Sequence, residues 1–253
     1  MKRHDKILPA ALTALVATLG VAAQNSEAAE IPFGEAKLFF ELNNTDGDLG
    51  IHALIDGEPW KLLEIEDPAE NVILDVLPSG RLGRHGMTEL TFESAEPAFD
   101  ELPPAQFFRR FPEGLYEIEG LTLEGDELEG EVRLSHVMPA PPRNVKVNGL
   151  AAAKNCDAIL PKVSPPVVIT WNPVTGSHPT IGKTGPIRVE RYQVFTELVT
   201  GAESVFSLDL PPGVTRFHVP VELLRQGRDF KFEILARGVN GNQTAIESCF
   251  TLR

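Results

Sequence analysis

Pro165-Pro166-Val167-Val168-Ile169-Thr170-Trp171-Asn172-Pro173-Val174 is a short β-branched run closed by proline on both sides, the form of a strand with punctuated ends. It lies in the second of two parts that charge alone separates. Residues 24–142 carry 26 acidic and 7 basic side chains, net −19, whereas residues 143–253 carry 9 and 13, net +4. The change of sign falls at Pro139-Ala140-Pro141-Pro142, which suits neither a helix nor a central strand. Small residues from Gly149 to Ala153 follow. Residues 139–160 are therefore expected to link an acidic module, 30–138, to a second module, 161–253. The whole chain has 253 residues, a net charge of −13, 42% hydrophobic and 23% charged residues, an ordinary globular composition. So negative a chain is not expected to bind nucleic acid, whose phosphates need a basic face.

The opening stretch resembles the B strand of a fibronectin type III domain, with Trp171 as its packed tryptophan. Residues 187–194 resemble the C strand with its inward tyrosine, Tyr192, and residues 205–210 read as a strand on the C′ side. Residues 216–219 resemble strand E and residues 227–237 strand F, ending its alternation in alanine; Asn240-Gly241-Asn242 then turns into a G strand, 244–251. The match covers about ninety residues, one immunoglobulin-like Greek-key sandwich. It departs from the family at Phe230, where the tyrosine of the corner motif usually stands, so that hydrogen bond must be absent or replaced. The segment from Val174 to Pro186 is longer than a typical B–C loop, and no Arg-Gly-Asp tripeptide is present. The resemblance implies neighbouring edges for Cys156 and Cys249, and hence a disulfide, which export permits.

The acidic module alternates in short runs. Residues 37–42, 50–55, 60–65, 71–76, 88–93, 115–119, 121–123 and 129–136 read as strands. Asp46-Gly47, Asp56-Gly57, Asp67-Pro68 and Ser79-Gly80 read as turns. A short helix is expected over 103–111, opened by proline and stopped before Pro112. The expectation is an all-β sandwich or partial barrel of seven to nine strands, so the chain as a whole reads as two β-sandwich-like modules.

Lys2, Arg3 and Lys6 precede an apolar run, 7–23, that closes on Val21-Ala22-Ala23, the pattern of a cleaved secretory signal. With Pro9 and Gly20 inside it the run is short of the roughly 20 apolar residues a span needs. Cleavage is expected after Ala23, with Ala28 and Ala29 as alternatives. The mature protein is then exported, periplasmic or extracellular, with no membrane span, and the whole chain resembles an exported bacterial protein.

Few patterns point to chemistry. Asn44, Asp46 and Asp48 alternate around Gly47, as hard oxygen ligands do in calcium loops. The loop is not an EF-hand, because that register puts Leu42 first and Ala53 at the bidentate acid position. An ordinary polar hairpin turn selects the same residue types, so both readings stay open. Gly176 to Gly182-Lys183-Thr184 has five intervening residues where a phosphate-binding loop has four, and it leads into a strand. The histidines His52, His85, His136, His178 and His218 are scattered and read as strand-face or surface residues. Trp60, Tyr116 and Tyr192 read as core. Asn43-x-Thr45 and Asn242-x-Thr244 fit the glycosylation sequon.

No catalytic residue and no cofactor, calcium apart, is expected. The leading reading is a non-enzymatic exported protein for binding, adhesion or envelope interaction, with a protein or polysaccharide partner outside the cytoplasm. A carbohydrate-active enzyme or accessory module using carboxylates of the acidic part is the rival, and a purely structural envelope component the third reading.

Overall fold

The computed structural model describes residues 29–253 except Ala202, so the expected signal, 1–23, lies outside the described residues. The acidic part forms β1 (Glu30–Pro32), β2 (Glu35–Asn43), β3 (Asp48–Glu66), β4 (Val72–Val76), β5 (Met87–Glu93), β6 (Gly114–Thr122) and β7 (Glu127–Leu134). Helices α1 (Gly80–His85) and α2 (Pro104–Arg110) interrupt them. The second part forms β8 (Arg143–Val147), β9 (Leu150–Ala151), β10 (Lys162–Val163), β11 (Val168–Asn172), β12 (Val189–Leu198) and β13 (Val205–Leu210). β14 (Arg216–His218), helix α3 (Val221–Leu224), β15 (Asp229–Gly238) and β16 (Gln243–Leu252) complete it.

The second module is a sandwich of two sheets. One runs β14-β11-β8-β9 and faces the β16-β15-β12-β13 segment of the other, the B-centred and C–F-centred sheets that the resemblance implied. Between them Trp171 packs edge-on against Tyr192, ring centroids 5.4 Å apart, and the Tyr192 hydroxyl accepts a hydrogen bond from the Val174 amide at 2.8 Å. Phe230 replaces the corner hydrogen bond with a stack on Phe250 at 5.2 Å. A tyrosine hydrogen bond of the corner kind occurs in the first module instead: Tyr116, near the start of β6, donates to the Pro112 carbonyl four residues upstream at 3.0 Å. Cys156 and Cys249 form the expected disulfide, Cα atoms 5.0 Å apart. Residues 139–160, expected as a linker, contain β8 and β9, and β8 pairs with β11 inside the sandwich. The charge break and the prolines conceal a strand that begins directly after Pro142.

The first module wraps around β3, which spans nineteen residues. Asp56-Gly57, expected as a turn, lies inside it, and β3 continues where two strands were expected. Its first half pairs with β2 and β5 and its second half with β6 and β4. The bend between them shows as shifts of register near Trp60. Gly57 sits where a Cβ would meet the Phe33 ring at 2.9 Å, so a strand position without a side chain allows the close approach. The bent sheet encloses Trp60, Tyr116, Phe40 and Ile118, all fully buried, and α2 closes one end with Phe107 and Phe108 edge-on to Phe40.

Three features join the modules. β2 and β16 pair in parallel, with Glu41, Leu42 and Asn43 opposite Gln243, Thr244 and Ala245, so one twelve-stranded sheet runs through both. The β15–β16 turn drives Asn242 into the first module, where it is fully buried. Its Oδ1 accepts from the Phe40 amide at 2.9 Å, and its Nδ2 donates to the carbonyls of Ser135 at 2.6 Å and Val137 at 3.1 Å. With every polar atom so engaged, Asn242 is inaccessible as a glycan acceptor in the folded protein. The long segment between β11 and β12 is the third tie. The His178 amide donates to the Met138 carbonyl and that of Lys183 to the His136 carbonyl, while the Lys183 ammonium pairs with Glu113.

Candidate functional site

The through-sheet makes the outer faces of the two modules one surface, and register fixes its composition. Outward positions of β12 and β15 put Arg191 beside Arg237, Gln193 beside Leu235 and Phe195 beside Glu233. β16 continues the first row with Gln243 opposite Arg237, and the seam adds Glu41 opposite Gln243. From there β2, β3 and β5 contribute the row Phe39, His52 and Glu93 and the row Lys37, Leu54 and Thr91. The surface is concave at the seam and holds a groove of about 390 Å³. Although they lie on an outer face, Leu235 and Gln243 are only 2% exposed; they form its floor.

The floor is polar and incompletely satisfied. Gln243 donates its Nε2 to Glu41, while its Oε1 is buried without a donor. The Arg237 guanidinium donates to Gln193 Oε1, yet its Nε is buried without a hydrogen-bond acceptor, and the buried Arg191 Nε has only Asp209, in an ion pair at 3.6 Å. Burial pushes the Glu233 carboxyl up to about 8, helped by the charges of Glu41 and Glu247 and opposed by Lys231. Burial also raises Glu41, against the favourable His52 charge and the Gln243 hydrogen bond. Desolvation followed by the neighbouring Arg191 charge lowers Arg237. For His52 burial opposes the charged form, but the hydrogen bond to Glu96 and the charges of Glu41, Glu96 and Glu93 outweigh it and raise the imidazole. Perturbed groups gathered in a cleft between modules are the physical mark of a binding or catalytic site.

A larger hollow, about 970 Å³, lies where α2 meets residues 180–183. Its ionisable groups already have partners: Glu113 pairs with Lys183, His136 Nε2 donates to the Phe111 carbonyl at 2.8 Å, and Arg109 Nη1 donates to the Ala105 carbonyl at 3.0 Å. The seam groove carries the unsatisfied chemistry and is the better candidate despite its smaller volume.

The residues read from sequence as a calcium loop occupy the β2–β3 turn, where Gly47 takes φ +76°. Asn44 Oδ1 accepts from His178 Nε2 at 3.0 Å. Because His178 Nδ1 accepts the Thr180 and Ile181 amides, its proton sits on Nε2 and the contact ties the turn to the second module. Asp46 accepts from the Asn43 side chain at 3.3 Å, and Asn43 Oδ1 caps the amides of Thr45 and Asp46. Asp48 Oδ1 is buried without a donor. Desolvation, then the charges of Glu96, Asp46, Glu247 and Glu41, push its carboxyl up to about 6. Trp60, Tyr116 and Tyr192 are fully buried in the cores. His52 lies in the groove, where reading the histidines singly did not place it; its cross-strand partner Glu93 is the signal that strand pairing supplies.

No family model matches the chain, and no curated protein matches it. Among solved structures it is similar to the FN1–FN3 domains of chicken CNTN1, at 10% identity and a TM-score of 0.33, covering 88% of this chain and 68% of that one. A two-domain fibronectin type III segment of chicken tenascin gives 11% and 0.28, covering 87% and 98%. A tetra-tandem repeat in the extending region of a large adhesion protein gives 12% and 0.29, covering 87% and 50%. The fibronectin-like character of the second module rests on its own strand order. Among the described residues no helix is long and apolar enough to cross a membrane.

Proposed function

We propose that the protein is an exported, non-enzymatic binding protein whose partner occupies the seam groove. The observation that carries this reading is the floor of the groove. Gln243 is 2% exposed with an unsatisfied Oε1, beside Arg237 with an unsatisfied Nε donor. Buried polar atoms without partners are costly, and a polar ligand that displaces the side chains covering them would satisfy them. Export is supported by the signal-like N-terminus and by the disulfide, which persists in oxidising compartments. The joined modules present the groove as a preorganised surface, which reduces the ordering cost of binding. The test is binding of the purified protein to arrays of extracellular polysaccharides and proteins, with Arg237→Ala and Gln243→Ala alongside. Saturable binding weakened by both variants supports the reading, and turnover on a hydrolase panel refutes it.

One observation favours a carbohydrate-active enzyme, though with its acid in the second module rather than in the acidic part as expected. Glu41 and Glu233 share the groove, and Glu233, raised to about 8, keeps its proton at neutral pH as a general acid must. Hydrolysis of chromogenic glycosides that disappears in Glu233→Gln establishes it; no hydrolysis by the wild type leaves the groove to binding.

A further inference from the structure

We propose that His52, Glu93 and Glu96 form a site for a divalent ion of the zinc type at the rim of the seam groove. His52 on β3 and Glu93 at the end of β5 are direct cross-strand partners, and Glu96 follows three residues on. One ring nitrogen of His52 and one oxygen of each carboxylate lie within 4.8 Å of one another. Tetrahedral ligands at roughly 2.0–2.2 Å from one zinc ion lie about 3.3–3.6 Å apart, so side-chain adjustments of up to about an ångström close the set.

The surroundings hold these donors in place. Phe39 stacks on the His52 ring at 5.4 Å with planes 16° apart. The Ile51 amide donates to Ser94 Oγ and the Ser94 amide to the Ile51 carbonyl, both at 3.0 Å, pinning the turn that carries Glu96 onto β3. Glu96 then crosses the strand over Gly50, where a Cβ would stand 2.5 Å from its Oε1, and reaches His52 Nε2 at 3.2 Å. Only glycine leaves that space. Beside Glu96, Asp48 keeps a buried oxygen without a donor.

Donor chemistry selects the ion. An imidazole with two carboxylates suits zinc and its first-row neighbours, whereas calcium and magnesium take all-oxygen shells. Glu93 is exposed and lines the groove with His52, which leaves outward coordination positions for water or for a donor from the groove's occupant. The ion requires only these three side chains, so its failure and the failure of the groove reading are separable.

The test is titration of the tag-free, chelator-stripped protein with zinc by calorimetry, and with cobalt(II) by visible absorption. The expected result is 1:1 zinc binding and cobalt d–d bands, with His52→Gln and Glu96→Gln each weakening affinity at least about tenfold and Asp46→Asn leaving it unchanged. Circular dichroism checks the fold of each variant, and Glu93→Gln, at an exposed position, gives the same readout if His52→Gln fails to fold. A zinc Kd weaker than about 1 mM, or zinc binding indifferent to His52→Gln or Glu93→Gln, overturns the proposal. Calcium binding without zinc binding, abolished by Asp46→Asn, also overturns it and assigns the ion to Asn44, Asp46 and Asp48.

Discussion

Asn242→Ala is the sharpest test of how the two modules are held together. The side chain is fully buried and serves three backbone groups of the first module: the Phe40 amide and the Ser135 and Val137 carbonyls. Truncation leaves the Phe40 amide and the Ser135 carbonyl without a partner, while the Val137 carbonyl keeps its bond from Asn240 Nδ2 at 2.8 Å. At about 1–3 kcal/mol for each of the two buried groups left unsatisfied, the expected loss is about 2–6 kcal/mol. A water that enters the vacated space and re-partners one of them brings the loss to about 1–3 kcal/mol. That is a large fraction of the roughly 5–15 kcal/mol that stabilises a folded domain. Urea unfolding followed by circular dichroism measures it, with an unchanged slope showing that the midpoint shift is a loss of stability. Asn242→Asp sharpens the test, because it keeps the acceptor for Phe40 but turns a carboxylate toward two carbonyl oxygens. Burial and those carbonyls raise the new carboxyl's pKa in the folded state, so the variant's stability is greatest at acid pH and falls as pH rises through that value. A loss below 1 kcal/mol in Asn242→Ala, or no pH dependence in Asn242→Asp beyond that of the wild type, refutes the reasoning.

Glu233, with its carboxyl raised to about 8 in the fold against about 4.3 in an unfolded chain, contributes stability at low pH that is lost as pH climbs toward 8. Glu233→Gln is therefore expected to raise the melting temperature at pH 8–9 relative to the wild type and to change little at pH 5, read by thermal scans across pH. Replacing Cys156 and Cys249 by serine opens a loop with a sequence separation of 93, and the chain-entropy relation puts the loss at about 4–5 kcal/mol; urea unfolding of the double variant against the wild type measures it. In Gly182→Ala the new Cβ would stand 2.1 Å from the His136 carbonyl oxygen at a backbone φ of +75°. The loop must move off the first module, costing about 1–3 kcal/mol and increasing hydrogen exchange at the Lys183 amide.

The second module was legible because its signals are local. Trp171 and Tyr192 stand in runs whose alternation and proline boundaries are complete within ten residues, and the disulfide followed from the edges those runs define. α2 was legible for the same reason, with proline at its first turn and Pro112 just beyond its end. β3 was misread at Asp56-Gly57 because a glycine that admits Phe33 looks the same in sequence as a glycine that makes a turn. β8 was masked by the prolines before it and by its brevity. The seam was invisible for a deeper reason: Glu41 meets Gln243 across 202 residues, and nothing in either local pattern marks a parallel pairing. The groove inherits that difficulty, since its carboxylates, arginines, histidine and glutamines come from β2, β3, β5, β12, β15 and β16 and acquire a common environment only after the two modules share a sheet. The alternation of Asn44, Asp46 and Asp48 was visible, but sequence could not show that Asn44 faces His178 of the other module.

That the groove is a fixed surface requires the modules to behave as one body, and the chain carries one reporter in each. Trp60 is fully buried in the first core and Trp171 is 4% exposed in the second, and they are the only two tryptophans. Trp60→Phe and Trp171→Phe each leave a single tryptophan, so equilibrium unfolding in urea followed by selectively excited tryptophan fluorescence reports each module separately. Each variant is also followed by circular dichroism, which cancels any stability change the substitution itself causes. The expected result is a single transition in which fluorescence and circular dichroism coincide in both variants. Two separated transitions, with one module unfolding while the other stays folded, would contradict the account.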